Sequence, residues 1–307
     1  MPLDPVAQQM LDDFVASGRP NAHLLPVEQA RANFEALFEG LRPGEDVFAT
    51  ADHEIPVEGG TVRARSYRPA DGDGLGLVVY FHGGGWLLGS HESHDTICRS
   101  LANASGAVIL NVDYRLAPEA KFPTAVEDAW AALQWGVEHA AELHADPSRV
   151  AVAGDSAGGN LAAVLAQRAR DEGGPALRFQ LLIYPVTSAD IDTGFDMTYE
   201  AHFLYRDEIL WHQEHYFRSP EDGRDPRVSP LLGDATGLPP AQIQSAECDP
   251  LHVQAEQYRD HLRAAGVPVD YRSYDGMIHG YFGLESVFPV AADAMRAAGD
   301  ALRAALA

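Results

Sequence analysis

The sequence predicts an α/β protein with a mostly parallel central sheet, flanking helices and a helical cap. Short apolar segments alternate with helical segments over residues 75–307, a pattern typical of parallel strands covered on both faces. Glycine-rich turns at residues 82–89 and 154–158 directly follow two apolar segments. An aromatic helical segment at residues 203–217 has no strand beside it, which indicates an insertion above the strand ends, where α/β proteins bind ligands.

Helical segments open the chain. Apolar residues recur at helical spacing in residues 5–16 and 26–41, so residues 1–46 are predicted as N-terminal cap helices. Alternating apolar and polar residues on both sides of Gly59 and Gly60 then predict a hairpin.

The rest of the chain is predicted as alternating strands and helices. The predicted strands are residues 75–81, 107–112, 149–154, 179–186, 241–246 and 269–274. The predicted helices are residues 93–105, 124–143, 159–173, 249–266 and 290–306. This alternation predicts a sheet-containing core in residues 47–187 and 238–307, with an insertion in residues 188–237.

Composition excludes several classes of protein. The chain has 307 residues, of which 46% are hydrophobic, and a formal net charge of −23, so neither nucleic acid nor an anionic membrane is an expected partner. Whether this acidity serves solubility or adaptation to salt stays open. Cys98 and Cys248 form no Cys-x-x-Cys motif, which predicts two reduced, buried thiols, with Cys248 inert. The N-terminus lacks the basic start and apolar stretch of a signal peptide, so a cytoplasmic protein is expected.

A single serine stands in the second glycine-rich turn. Gly154-Asp155-Ser156-Ala157-Gly158 fits G-x-S-x-G between a predicted strand and a predicted helix, the arrangement of the nucleophile elbow of α/β hydrolases. A plain tight turn is the alternative for this motif alone. A dinucleotide loop fits less well, because Ser156 stands where its second glycine would be, and no Gly-Lys-Ser/Thr follows for a P-loop.

A serine nucleophile needs a base, a group that orients the base, and donors for an oxyanion. Asp249 and His279 each follow a predicted strand, so both are expected at the same sheet edge as Ser156. Their order along the chain, serine then aspartate then histidine, is that of α/β hydrolases. The three glycines at residues 83–85 follow another strand, and their N–H groups are candidates for the oxyanion donors.

The chain resembles the bacterial members of the hormone-sensitive-lipase family of esterases over nearly its whole length. The motifs that carry this resemblance are HGGGW at 82–86, VDYRLAPE at 112–119, FPTAVED at 122–128, GDSAGGN at 154–160, SPLL at 229–232, DPL at 249–251 and IHGY at 278–281. The resemblance implies an α/β-hydrolase fold, a cap built from the N-terminal helices and the insertion, and hydrolysis of short- to medium-chain carboxylic esters.

The resemblance also implies roles for individual residues. Ser156 would be the nucleophile, His279 the base and Asp249 its partner. The backbone N–H groups of Gly84, Gly85 and Ala157 would hold the oxyanion. His82 would brace the glycine loop.

The candidate substrate-binding residues are aromatic or aliphatic: Trp86, Phe34, Phe38, Phe203, Leu204 and Trp211. Some of them could equally be cap core. His91 and His94 have a spacing compatible with metal binding but lack an evident third ligand, so loop roles are predicted. Asp113, Arg115 and Glu119 are predicted to be structural charges. No cofactor and no metal are expected.

Three functions remain open at this point. The first is a serine carboxylesterase acting on a small-molecule ester through an acyl-enzyme. An amidase or peptidase could use the same triad, because oxyanion stabilisation serves both reactions. A non-catalytic receptor for a hydrophobic ligand is disfavoured, because all three triad residues are present. The natural ester and the oligomeric state, a homodimer included, are left open.

Overall fold

The computed structural model describes residues 2–40, 44–200 and 202–307, in which one eight-stranded sheet forms the centre. The strands are β1 (Ala49–Val57), β2 (Gly60–Arg68), β3 (Leu75–Phe81), β4 (Val108–Asp113), β5 (Ala145–Asp155), β6 (Leu177–Ile183), β7 (Ala241–Ala246) and β8 (Val269–Tyr274). Their order in the sheet is β1-β2-β4-β3-β5-β6-β7-β8. Only the β1–β2 and β2–β4 pairs are antiparallel, so the predicted fold class is confirmed.

Helices cover both faces of this sheet. The α-helices are α1 (Pro5–Ala16), α2 (Val27–Glu39), α3 (Asp95–Ser105), α4 (Thr124–Glu138), α5 (Ala157–Asp171), α6 (Ile191–Gly194), α7 (Arg206–Tyr216), α8 (His252–Ala264) and α9 (Pro289–Ala305). Helices α3 and α9 pack on one face, and α4, α5 and α8 pack on the other. None of the helices in the described ranges is long and apolar enough to cross a membrane.

Strand β3 shows how the two apolar layers arise. Leu77 and Val79 belong to the core under α4 and α5, whereas Val78 and Tyr80 belong to the core under α3 and α9. Successive side chains of a strand point to opposite faces, so a central strand that is apolar throughout supplies both cores.

Two sequence-predicted boundaries are corrected. The strand predicted to reach residue 186 ends at Ile183, because Tyr184 has a φ of 35° and turns the chain out of the sheet. The helix predicted from residue 249 begins at His252. Asp249 instead forms a turn in which its side chain accepts a hydrogen bond of 2.8 Å from the Leu251 N–H.

The N-terminal segment and the insertion after β6 touch each other. The rings of Phe14 and Phe203 lie 6.4 Å apart, and those of His23 and Tyr205 lie 6.2 Å apart. These contacts support a single cap made from both segments. The domain boundaries at residues 46, 187 and 237 stay a prediction.

Candidate active site

Ser156 sits at a strained turn between β5 and α5. Its φ is 54° and its ψ is −117°, a conformation that costs free energy for any residue with a Cβ. Backbone hydrogen bonds hold the turn on both sides: the Ser156 N–H donates to the Ile183 carbonyl at 2.9 Å, and the Asn160 N–H donates to the Ser156 carbonyl at 3.0 Å. The serine hydroxyl is thereby placed at the carboxyl edge of the sheet.

The flanking glycines are required by backbone packing. A Cβ at Gly158 would overlap the carbonyl oxygen of Phe81, and a Cβ at Gly154 would overlap the backbone of Gly158. Both obstacles are main-chain atoms, which cannot rotate away as a flexible side chain can. The G-x-S-x-G pattern therefore follows from the close approach of α5 to the end of β3.

Gly158→Ala is expected to lower the free energy of unfolding by at least about 3 kcal/mol, since overpacking against fixed backbone is costly. Thermal or urea unfolding of the purified variant measures this. Gly60→Ala is the control, because nothing lies within 4 Å of a Cβ added at Gly60. A Gly158→Ala protein as stable as the Gly60→Ala control would show that the elbow has room to relax.

The structure brings Ser156, His279 and Asp249 into one hydrogen-bonded chain. The Ser156 hydroxyl lies 3.0 Å from His279 Nε2, and His279 Nδ1 lies 2.7 Å from Asp249 Oδ2. The Asp249 side chain is fully buried and that of His279 is 15% exposed. With the His279 proton on Nδ1, facing the carboxylate, Nε2 is free to accept a proton from Ser156.

Charges around His279 favour its protonated form. Burial of the imidazole opposes protonation, but the carboxylate of Asp249 outweighs it through charge and hydrogen bonding, with smaller contributions from Asp155 and Glu208. The pKa of His279 is therefore raised above its ordinary value of 6.5. A base with such a pKa can take and return a proton near neutral pH.

The glycine loop after β3 lies beside the elbow. Gly84 and Gly85 have φ angles of 110° and 62°, which a residue with a side chain adopts only at a cost. Within the described ranges, the N–H groups of Gly84, Gly85 and Ala157 donate to no carbonyl or side chain. Three unpaired N–H groups near a nucleophile can bind a developing negative charge.

A buried acid, which the sequence analysis missed, supports the glycine loop from below. Asp155 accepts hydrogen bonds from the Gly83 N–H at 3.0 Å and the Tyr80 hydroxyl at 2.7 Å. His94 Nε2 lies 3.3 Å from the same carboxylate. Burial opposes the charge of Asp155, but His94 and the hydrogen bonds outweigh it and lower its pKa. The only sequence signal was an acidic residue inside G-x-S-x-G.

His82 also contacts this loop, as the resemblance implies. Its Nδ1 lies 2.8 Å from the Gly83 carbonyl oxygen, and its ring stacks on Tyr114 at 4.4 Å. Burial lowers the pKa of His82 to about 4. The ring is therefore neutral at neutral pH and serves as a packed support.

The predicted pocket residues lie in several places. Phe34 packs on Phe38 at 5.2 Å, and Trp86 stacks on Tyr216 at 4.5 Å. The ring of Phe203 lies 6.4 Å from that of Phe14 in α1. Leu204 belongs to a small apolar cluster with Ile191, Phe195 and Leu251, and Trp211 lies beside His215. Their role in substrate binding stays a prediction.

The remaining candidate charges each have their own partner. His91 Nδ1 lies 2.6 Å from Asp113 Oδ2. Arg115 donates to Asp128 at 2.6 and 2.8 Å. Glu119 accepts from Arg31 at 2.7 and 3.0 Å. These pairs hold loops together.

The histidines and cysteines form no metal site or disulfide. Across the part of the chain that the structure describes, no group of three metal-ligating side chains occurs, and Cys98 and Cys248 are buried and unpaired.

Two polar residues of α7 near the site were not anticipated. Glu208 and His279 lie close enough for each to affect the other's pKa. The ring of His212 covers Gly85, because a Cβ at Gly85 would lie 2.5 Å from His212 Cδ2. The sequence pattern emphasised the aromatic residues of this segment and gave no signal for its polar face.

Comparison with known proteins agrees with this architecture. A family profile described as alpha/beta hydrolase fold matches residues 78–283. The chain belongs to that family. The carboxylesterase NlhH of Mycobacterium tuberculosis is 42% identical over 99% of this chain and 96% of its own length. An ethyl acetate hydrolase of Pseudomonas putida is 39% identical over 92% of this chain and 91% of its own.

Solved structures of other α/β hydrolases superpose closely. A hyperthermophilic esterase from the archaeon Pyrobaculum calidifontis matches with a TM-score of 0.94 and 40% identity, covering 100% of both chains. EstE1, a thermostable carboxylesterase from a metagenomic library, matches with a TM-score of 0.87 and 41% identity over 92% of this chain and 99% of its own. The resemblance to hormone-sensitive-lipase-like esterases is therefore confirmed.

Proposed function

We propose that this α/β hydrolase is a serine carboxylesterase that hydrolyses short- to medium-chain carboxylic esters through an acyl-enzyme. The observation that carries the proposal is the hydrogen-bonded chain from Ser156 through His279 to the fully buried Asp249. The three unpaired N–H groups beside it support the same reaction. Relatives named as a carboxylesterase and an ethyl acetate hydrolase support small esters as substrates.

Acylation begins when the Ser156 oxygen attacks the ester carbonyl carbon and its proton passes to His279 Nε2. The carbonyl oxygen becomes an oxyanion and is stabilised by the N–H groups of Gly84, Gly85 and Ala157. The intermediate then expels the alcohol, which takes the proton from His279. The buried carboxylate of Asp249 stabilises the imidazolium between these two steps.

Deacylation repeats the sequence with water as the nucleophile. His279 takes a proton from the water as its oxygen attacks the acyl carbon, and the same N–H groups hold the new oxyanion. Collapse of this intermediate breaks the bond to Ser156 and returns the proton to its oxygen. The carboxylic acid leaves, and the enzyme is restored.

A hydrolysis screen with p-nitrophenyl esters tests the proposed function directly. Matched ester and anilide substrates test the amidase alternative, since amides additionally need protonation of the leaving amine. Hydrolysis of the anilides at rates comparable to the esters would replace the esterase assignment. A cytoplasmic location and a homodimeric state stay predictions.

The pH dependence should follow the charge of His279. Only the neutral imidazole can accept the Ser156 proton, so kcat/KM is expected to fall as pH decreases through the raised pKa, above the ordinary 6.5. Full activity should be present at higher pH, where His279 is neutral. Rates measured from pH 5 to 9, with folding checked by circular dichroism, provide the measurement. A pH-independent rate over that range would argue against a histidine base.

Acyl chain length should have an optimum. Each methylene buried in a capped apolar pocket is worth about 0.8 kcal/mol, or roughly fourfold in kcat/KM if fully expressed in the transition state. We expect kcat/KM to rise from acetate towards butyrate or hexanoate and to be poor for palmitate, because a full pocket strains or excludes further carbons. A p-nitrophenyl ester series assayed below KM measures this. Continued improvement to sixteen carbons would indicate an open groove instead.

A further inference from the structure

One face of α7 covers the oxyanion loop. Glu208, His212 and Tyr216 follow each other at four-residue spacing, so they lie along the same side of the helix. His212 covers Gly85, and Tyr216 stacks on Trp86 at an interplanar angle of 5°. Glu208 lies one turn earlier, towards His279. This face therefore extends from the base of the triad to the loop that would hold the oxyanion.

His212 is a buried polar group without a partner. The residue is 7% exposed, and its Nε2 atom is buried with no hydrogen-bond partner among the described residues. Burial lowers the pKa of His212 to about 3, so the ring is neutral wherever the enzyme is expected to work. A neutral imidazole presents one donor and one acceptor. Nε2 is enclosed by the protein, whereas Nδ1 lies over Gly85, 2.7 Å from the position of an added Cβ, so Nδ1 is the ring nitrogen that can meet a ligand.

Glu208 is the second polar side chain on this face that has no protein partner within the described residues. Its carboxyl is half-buried and forms no hydrogen bond or salt bridge within the part of the chain that is described. Burial raises the pKa of Glu208 to about 7, against a smaller opposing effect of His279. This carboxyl has lost much of its water without gaining a protein partner. It faces the catalytic histidine and keeps part of its surface accessible.

We propose that Glu208 and His212 form a polar subsite that binds a hydroxyl group of the substrate, so that the preferred esters carry a hydroxyl near the ester bond. This inference rests on the proposed esterase function and names its substrate class. At pH values above the raised pKa of Glu208, the hydroxyl donates to the ionised carboxylate and accepts from a ring N–H of His212. An alkyl group at the same place would leave both side chains without partners.

A hydroxyl fits this subsite better than a cationic group. An ammonium ion can donate to Glu208, but it has no lone pair to accept a hydrogen bond from His212. It must also lose its hydration to enter a largely buried site, which is costly for an ion. The cationic ester is therefore included as a competing substrate class.

The test compares isosteric esters in which a methyl group is replaced by a hydroxyl. On the alcohol side the pair is propyl butyrate and 2-hydroxyethyl butyrate. On the acyl side it is methyl butyrate and methyl 3-hydroxypropanoate. Titration of the released acid gives kcat/KM for each ester, and 2-(dimethylamino)ethyl butyrate serves as the cationic analogue.

The readout is the ratio of kcat/KM for the hydroxylated ester to that for its alkyl isostere. We expect the wild-type ratio to exceed one in at least one pair. Glu208→Met removes the carboxyl but keeps a side chain of similar length, and it should lower that ratio about tenfold to a hundredfold, the effect of losing a hydrogen bond to a charged group. His212→Leu should lower it in the same direction. Glu214→Met is the matched control, because Glu214 is exposed on the same helix, and it should leave the ratio unchanged.

The outcomes separate this inference from the proposed function. Wild-type ratios below one in both pairs, or ratios that Glu208→Met does not change, would overturn the hydroxyl subsite while ester hydrolysis still stands. Preference for the cationic ester over the hydroxylated one would overturn the choice of ligand. Absence of hydrolysis for every ester would instead overturn the esterase assignment.

Discussion

Replacing Ser156 with alanine is expected to leave a folded protein whose kcat for ester hydrolysis has fallen by about a millionfold, the cost of removing the nucleophile in a serine hydrolase. His279 and Asp249 would then have no hydroxyl to activate. The fold should persist because the hydroxyl has no hydrogen-bond partner besides His279 in the described structure. Burst and steady-state assays with p-nitrophenyl butyrate measure the loss, and the thermal midpoint checks folding.

The matched control for this change is Ser286→Ala. Ser286 is exposed and belongs to none of the groups assigned to the reaction. It should retain the wild-type rate. A Ser156→Ala protein that kept a tenth of the activity would show that another group is the nucleophile.

Asp249→Asn is expected to lower kcat by about ten-thousandfold. The fully buried carboxylate accepts the Nδ1 proton of His279 at 2.7 Å. An asparagine amide can instead donate to Nδ1, which moves the imidazole proton to Nε2. That nitrogen then cannot take the proton of Ser156, although the shape of the site is preserved.

Steady-state kinetics of Asp249→Asn, with Asp300→Asn as the exposed control, test this explanation. Combining Ser156→Ala with Asp249→Asn should cost little more than Ser156→Ala alone, because the two groups act as a unit. Losses that multiply in the double variant would mean that Asp249 contributes independently of the nucleophile.

The buried Asp155 links the two loops of the candidate active site. Asp155 directly precedes the nucleophile and binds the N–H of Gly83 at 3.0 Å. The elbow and the glycine loop are therefore positioned by one carboxylate. This explains how two loops that are separated along the chain by α3, β4 and α4 keep a fixed relative position.

The sequence by itself determined the features that depend on local pattern. Short segments of strand length identified all six parallel-sheet candidates; the central strands stand out because they are apolar on both faces, whereas the edge strand β8 is recognisable only by its alternating pattern. G-x-S-x-G identified the elbow, since the overlap of a Cβ at Gly154 or Gly158 with backbone leaves no other residue type. Asp249 and His279 were identifiable because a parallel sheet gathers the residues after its strands at one edge.

Only the tertiary structure decided which polar side chains meet across long separations. Asp155, His94 and Tyr80 belong to three segments, and no spacing rule relates them. The place of Glu208 and His212 depends on how α7 rotates as it packs above the sheet, and the helix has apolar residues on more than one side. The strand end at Ile183 likewise depends on the positive φ of Tyr184, whose N–H donates to the carbonyl oxygen of Gln244 in β7. Local pattern is encoded in neighbouring residues, whereas these contacts arise only when distant segments are brought together.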